Sequence, residues 1–203
     1  MIFKQVFDNN CSNYTYIIAS AKGREAVIID PVIENVNDYI KILRELDLKL
    51  VKVIDTHIHA DHVTGASKLK EITNCTTLMG EHTPADMVEI KVKDDEIIDI
   101  DDLKIRSLYT PGHTSDSYSY LLNNSLFTGD TLLINGTGRT DFQNGSSKDA
   151  YNSLFNKLLK LPEDTVVFPG HDYNGKFSST IGQEKKFNPR LQVCLLYTSP
   201  SPR

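Results

Sequence analysis

Apolar residues along this chain recur at two spacings, every second residue and every third or fourth, and their order predicts strands, then strands alternating with helices, then strands again. Tyr14 to Ala19 and Glu25 to Ile29 are β-rich runs joined by Ala21-Lys22-Gly23-Arg24, a hairpin whose glycine supplies the positive φ of the turn. Asp30-Pro31 ends the second run. Val36, Ile40, Leu43 and Leu46 follow helical spacing, and Leu50 to Asp55 is a short apolar run that reads as a buried strand. Val63, Ala66, Leu69 and Ile72 predict a second amphipathic helix.

Further on, Glu96 to Ile100 and Leu103 to Tyr109 form a hairpin around Asp101-Asp102, and Tyr118 to Leu122 pairs with Leu126 to Thr128 around Asn123-Asn124. Ser147 to Leu161 reads as one helix with Ala150, Leu154, Leu158 and Leu161 on a single face, closed by Pro162. Thr165 to Phe168 is a last strand. Thr180 with Gln183 has the form of a capping box, so a final helix should run to about Phe187 before Asn188-Pro189 stops it.

Composition narrows the class without choosing a function. The 203 residues are 39% hydrophobic and 24% charged, enough for one globular domain with a substantial core. A net charge of −5 with interspersed signs gives no basic footprint for nucleic acid. No stretch approaches a membrane span and no leader pattern opens the chain, so a cytoplasmic protein with no membrane partner is expected. Cys11, Cys75 and Cys194 are too few and too widely spaced for a disulfide framework, and Cys11 and Cys75 read as small buried residues.

The chemistry concentrates in His57-Ile58-His59-Ala60-Asp61-His62, three imidazoles and a carboxylate at the carboxyl end of the Leu50 strand. Open α/β folds place ligands at such strand ends, and these donors suit Zn, Fe or Mn. Three more residues follow predicted strands in the same way, each with a glycine just before it: His113, Asp130 and His171. Glycine lets the chain turn sharply and aim the next side chain across the mouth of a sheet. The sixth histidine, His82, reads as an ordinary surface loop residue.

Thr56-His57-Ile58-His59-Ala60-Asp61-His62 followed by His113, Asp130 and His171 resembles the metallo-β-lactamase superfamily pattern over nearly the whole chain. The resemblance implies an α/β fold, the αβ/βα sandwich of two mixed β-sheets flanked by helices. In binuclear members His57, His59 and His113 would bind one metal, Asp61, His62 and His171 the second, and Asp130 would bridge them.

Gly138-Arg139-Thr140-Asp141-Phe142-Gln143, His171-Asp172-Tyr173-Asn174-Gly175 and Asn188-Pro189-Arg190-Leu191 are similar to the persulfide dioxygenase branch, as is Ala60 within the first motif. Thr137 departs from it, since well-known members carry a cysteine there. This branch implies one Fe(II) per chain on His57, His113 and Asp130, two imidazoles and a carboxylate on one face of an octahedron, as in non-haem iron oxygenases. His59, Asp61, His62 and His171 would orient ligands and reactants by hydrogen bonds.

The reactants so implied are glutathione persulfide, or a similar small persulfide, and O2, giving thiol and sulfite; a homo-oligomer is compatible with the family. Arg139 is the candidate to hold a substrate carboxylate, with an ion pair to Asp141 as the competing reading, and Tyr173 either contacts substrate or packs under the ligand loop. Two alternatives stay open: a zinc thioester hydrolase of the glyoxalase II kind, with two Zn on all seven ligand positions, and a non-catalytic metal-binding protein that keeps the fold.

Beyond Leu191 the pattern changes to Cys194-Leu195-Leu196-Tyr197-Thr198-Ser199-Pro200-Ser201-Pro202-Arg203, which resembles translated sequencing-adapter sequence. The expected organisation is therefore a domain over 1–191, cut short at its carboxyl end, and a non-native disordered tail over 192–203.

Overall fold

The computed structural model describes residues 1–192; all but the first residue of the tail expected over 192–203 lies outside the described residues. Among the described residues, twelve strands form two six-stranded mixed sheets. The first has the order β1 (Ile2–Phe7), β2 (Tyr14–Ala19), β3 (Glu25–Ile29), β4 (Lys49–Ile54), β5 (Thr76–Gly80), β6 (Ile90–Val92). Strands β1 to β3 are antiparallel neighbours and β3 to β6 run parallel. The second has the order β12 (Ser179–Thr180), β11 (Val166–Pro169), β10 (Ser125–Gly129), β9 (Tyr118–Leu122), β8 (Leu103–Tyr109), β7 (Ile97–Ile100), with only the β10 and β11 pair parallel.

Alternation along the strands divides the core into three layers. Tyr16, Ile18, Val27 and Ile29 of the first sheet meet Ile105, Tyr118, Tyr120 and Phe127 of the second between the sheets. The opposite faces of β2 and β3, through Ile17, Ala19, Ala26 and Ile28, pack against helices α1 (Val36–Glu45) and α2 (Ala66–Thr73). On the far side, Leu108, Leu126 and Val167 receive Leu154 and Leu158, and Ile181 of helix α4 (Ile181–Phe187). This is the expected αβ/βα sandwich.

Three local expectations change. Val63 lies outside α2 and is 62% exposed, because the chain from His57 to Gly65 is committed to loop geometry at the strand end. The helix expected over Ser147 to Leu161 begins as α3 (Ser147–Tyr151) but continues as a wider π-turn segment (Asn152–Lys157) and a 3₁₀ turn (Leu158–Lys160). The wide turn inserts a residue into the helical phase, which lets Leu154, Leu158 and Leu159 all bury while the Ser153 hydroxyl donates to the Pro111 carbonyl at 2.6 Å. The sequence pattern does not predict strands β1, β5, β6 and β12; β5 and β6 extend the parallel half of the first sheet beside β4, and β12 adds an edge strand after β11. The capping box at Thr180 and Gln183 is present as expected.

Candidate metal centre

The first ligand loop leaves β4 at Ile54 and lies over the buried carboxylate of Asp30 at the end of β3. Asp30 accepts hydrogen bonds from the Thr56 backbone N–H at 2.7 Å and the Thr56 hydroxyl at 2.9 Å, and its Oδ1 lies 3.2 Å from His59 Nε2. Because the Thr56 hydroxyl has a single proton and gives it to Asp30, it must accept from His57 Nδ1, 2.8 Å away. That fixes the His57 tautomer and leaves Nε2 with a lone pair. Burial, with the charge of His59 next, pushes the His57 imidazole down to about 3, so it is a neutral donor at any ordinary pH.

His113 reaches the same point from the loop after β8. Its Nδ1 donates to the Arg139 carbonyl at 2.9 Å, again freeing Nε2. Asp130 follows β10 directly. Gly129 before it has φ +49°, the left-handed conformation expected of a sharp strand-end turn, and a Cβ there would also strike Thr56. Gly170 before His171 differs from the expectation: its φ is not positive, and it is needed for space, since a Cβ would lie 2.7 Å from Asp130 Oδ1.

His171 sits between two carboxylates, its Nδ1 2.7 Å from Asp130 Oδ1 and its Nε2 3.0 Å from Asp61 Oδ2. Burial would lower this imidazole, but the charge and hydrogen bond of Asp130, followed by Asp61, outweigh it and carry it up to about 10. His171 therefore holds both protons and occupies Asp130 Oδ1. Oδ2 is left facing His113 Nε2 at 3.6 Å, beyond hydrogen-bond range. Burial raises the Asp130 carboxyl, but the imidazoles of His171, His57 and His113 together hold it well below the usual carboxylate range.

His57, His113 and Asp130 thus bring one donor atom each to within 4.8 Å of one another. The four other expected residues stand around them. His59 is turned to Asp30, whose hydrogen bond and charge overcome burial and hold it up at about 9, and His62 Nδ1 pairs with Asp61 at 2.9 Å. His59 Nδ1 and His62 Nε2 are buried without a partner, which a metal-binding pocket explains and an ordinary hydrogen-bonded loop does not. The donor set, two imidazole nitrogens and a carboxylate, fits a divalent first-row metal.

The triad opens into a cleft of about 410 Å³ walled by Ala60, Arg139, Phe142, Gln143, His171 and Tyr173. Arg139 pairs with Asp141, Nε to Oδ1 at 2.7 Å and Nη2 to Oδ2 at 3.1 Å, and its guanidinium lies 5.6 Å from the centre of the Phe142 ring. The ion-pair reading is thus realised, while the side chain remains exposed at the cleft wall. Tyr173 is 73% exposed and near-parallel to the His171 ring, 6.2 Å away, so it faces the cleft rather than packing beneath the loop.

Of the seven candidate residues, His57, His113 and Asp130 bring donor atoms together, while His59 groups with Asp30 and Asp55, and Asp61 and His62 group with Cys11. A family model described as "Metallo-beta-lactamase superfamily" matches residues 8–171. The chain belongs to that superfamily.

Within the metallo-β-lactamase superfamily, the human protein "Persulfide dioxygenase ETHE1, mitochondrial" is 36% identical over 95% of this chain and 77% of its own length. The crystal structure of ETHE1 from Myxococcus xanthus superposes with a TM-score of 0.92 at 46% identity, covering 94% of this chain and 84% of that one. A hydroxyacylglutathione hydrolase of Dictyostelium discoideum is 35% identical over 87% of this chain and 69% of its own. Membership of the persulfide dioxygenase branch follows from the first two.

Some participants were missed or misread. The sequence pattern gives Asp30 only as the end of a strand, yet Ile29-Asp30 puts a carboxylate at a strand's carboxyl end just as Gly129-Asp130 does. Asp55 is buried beside His59; burial drives its carboxyl up to about 7 against the pull of charged His59. Asp116 accepts the Ile58 N–H at 3.1 Å and steadies the same loop. Cys75 is buried as expected, but Cys11 is only half-buried and lies with Asp61 and His62 at the edge of the site. Burial and the Asp8 hydrogen bond push its thiol up to about 12, so it is protonated. His82 does occupy a surface loop, though not freely: it stacks on Tyr109 at 3.9 Å, and its Nδ1 lies 3.0 Å from the Tyr118 hydroxyl.

Proposed function

We propose that this chain is a persulfide dioxygenase, oxidising the outer sulfur of glutathione persulfide, or a similar small persulfide, with O2 and water to give the thiol, sulfite and two protons. The observation that carries this reading is the triad of His57, His113 and Asp130 opening onto a cleft with a cationic wall at Arg139, in a chain so similar to named persulfide dioxygenases. One Fe(II) held by His57, His113 and Asp130 would supply the one-electron chemistry that triplet O2 requires and that zinc lacks.

The protein's own residues perform the rest. Thr56 and the Arg139 carbonyl hold His57 and His113 as Nδ1–H tautomers. His171 keeps Asp130 Oδ1 occupied and retains its protons between two carboxylates. Arg139 exchanges the Asp141 carboxylate for a substrate carboxylate in the same bidentate geometry, and Tyr173 presents its hydroxyl and ring to the bound thiol. The glutathione carrier and a cytoplasmic setting complete the reading; among the described residues no helix is long and apolar enough to cross a membrane.

The test is oxygen uptake with glutathione persulfide by protein loaded anaerobically with iron. Uptake matched by sulfite, with about one iron per chain, supports the proposal. No uptake, with two zinc ions bound and a glutathione thioester cleaved, would move the seven ligands to the hydrolase reading.

A further inference from the structure

The ligand loop has a second cavity on its other side. About 390 Å³ in volume, it lies between the 57–64 loop, the start of α2, β5 and the 85–88 segment. Its walls are mainly apolar, with Ala66, Leu78, Met79, Ala85 and Val88 around it, and Val63 and Met87 at the rim. These rim residues are 62% and 83% exposed, which makes the opening apolar as well. The inner wall is a row of imidazoles, His57 against His59 and His59 against His62, each pair with ring centres 4.3 Å apart.

The two cavities therefore meet the triad from different sides. Asp130 and His113 line the polar cleft, whereas His57 lines the apolar cavity. A persulfide carried on an anionic peptide suits the first, which holds Arg139 and Gln143. The other reactant is a small uncharged diatomic that gains nothing from polar donors and partitions into apolar volume. Dry apolar cavities of roughly 150 Å³ already take up xenon, a probe of similar character, so volume is no obstacle.

We infer that the cavity behind the His57 to His62 loop is the site through which O2 collects and reaches the triad, entering on the His57 face while the persulfide occupies the opposite cleft. This rests on the dioxygenase reading. The separation admits gas when the polar cleft is filled by substrate, so the order of binding need not depend on a shared entrance.

Crystals of the unmodified protein pressurised with xenon should show xenon among Leu78, Met79 and Ala85. Ala85→Phe and Ser67→Leu, two changes at residues lining the cavity and outside the ligand set, should each displace it. In stopped-flow mixing of nitric oxide with anaerobic ferrous protein, both variants should slow association several-fold, and the KM for O2 should rise by a like factor with the persulfide KM unchanged. An empty cavity in the unmodified protein under xenon, or an unaltered nitric oxide association rate in variants that exclude xenon, would overturn the inference. A protein that binds nitric oxide through this cavity but consumes no oxygen with persulfide would instead remove the dioxygenase reading and leave the gas route standing.

Discussion

The carbonyl of Arg139 accepts a hydrogen bond from His113 Nδ1 at 2.9 Å, so the residue offered to the substrate by its side chain holds a metal-site imidazole by its backbone. The two roles separate cleanly by mutation. Arg139→Ala removes the guanidinium and keeps the carbonyl. Its Asp141 pair is exposed and screened by solvent, so stability should change little. Loss of a charge-assisted bond to a substrate carboxylate should raise the persulfide KM by roughly 10- to 100-fold with iron content unchanged. An unchanged KM would leave Arg139 with the ion pair alone.

Thr56 is the matching device on the other imidazole. Thr56→Val keeps the shape but breaks the path from His57 through the hydroxyl to Asp30, freeing the ring to rotate and change tautomer. Residues of this kind tune affinity by about 10- to 100-fold. Iron retention measured by competition with a chelator should fall within that range for Thr56→Val and recover in Thr56→Ser, which restores the hydroxyl.

Which of these features could be read from the chain alone follows from how far each lies from its partner. Candidate ligands at strand ends are legible because the apolar run that places each one lies directly before it, as Leu126 to Gly129 does before Asp130. Asp30 directly follows β3 and acts on Thr56 and His59 across the parallel β3 and β4 pair, so only the register of that pair, Ile29 beside Ile54, reveals its task. The π-turn after Tyr151 is similarly non-local: it exists because Ser153 meets Pro111 and both Leu158 and Leu159 find the second sheet. Cys11 was read by residue type, and its half-exposed place beside Asp61 depends on the β1 and β2 connection folding toward the site.

Asp30 and His59 form a buried pair whose pH dependence carries a definite sign. The folded value of His59, about 9, lies above the roughly 6.5 of an unfolded imidazole. Its stabilising contribution is thus complete below about pH 6.5 and is lost as pH rises through 9. In metal-free protein, urea midpoints should decline over that window. Asp30→Asn should flatten the decline and cost on the order of 3 kcal/mol at neutral pH, because an imidazole is left buried without its counter-charge. A wild-type midpoint that rises between pH 7 and 9 would contradict the pairing.

Gly170 offers a test of the site by steric means alone. A methyl group added there would sit 2.7 Å from Asp130 Oδ1 and 3.0 Å from the Gly129 carbonyl carbon, on the oxygen that His171 holds in place. Since the φ of Gly170 is one that alanine accepts, Gly170→Ala carries no conformational penalty of the left-handed kind, and the damage falls on the carboxylate. Turning Asp130 away disrupts both its His171 contact and the Oδ2 that faces His113. Iron content and turnover should therefore drop together, as they should in Asp130→Ala, while the melting temperature of the metal-free protein moves only modestly, consistent with a repositioned side chain. Normal iron retention in Gly170→Ala would mean that Asp130 can shift without cost and is not held as a ligand by this contact.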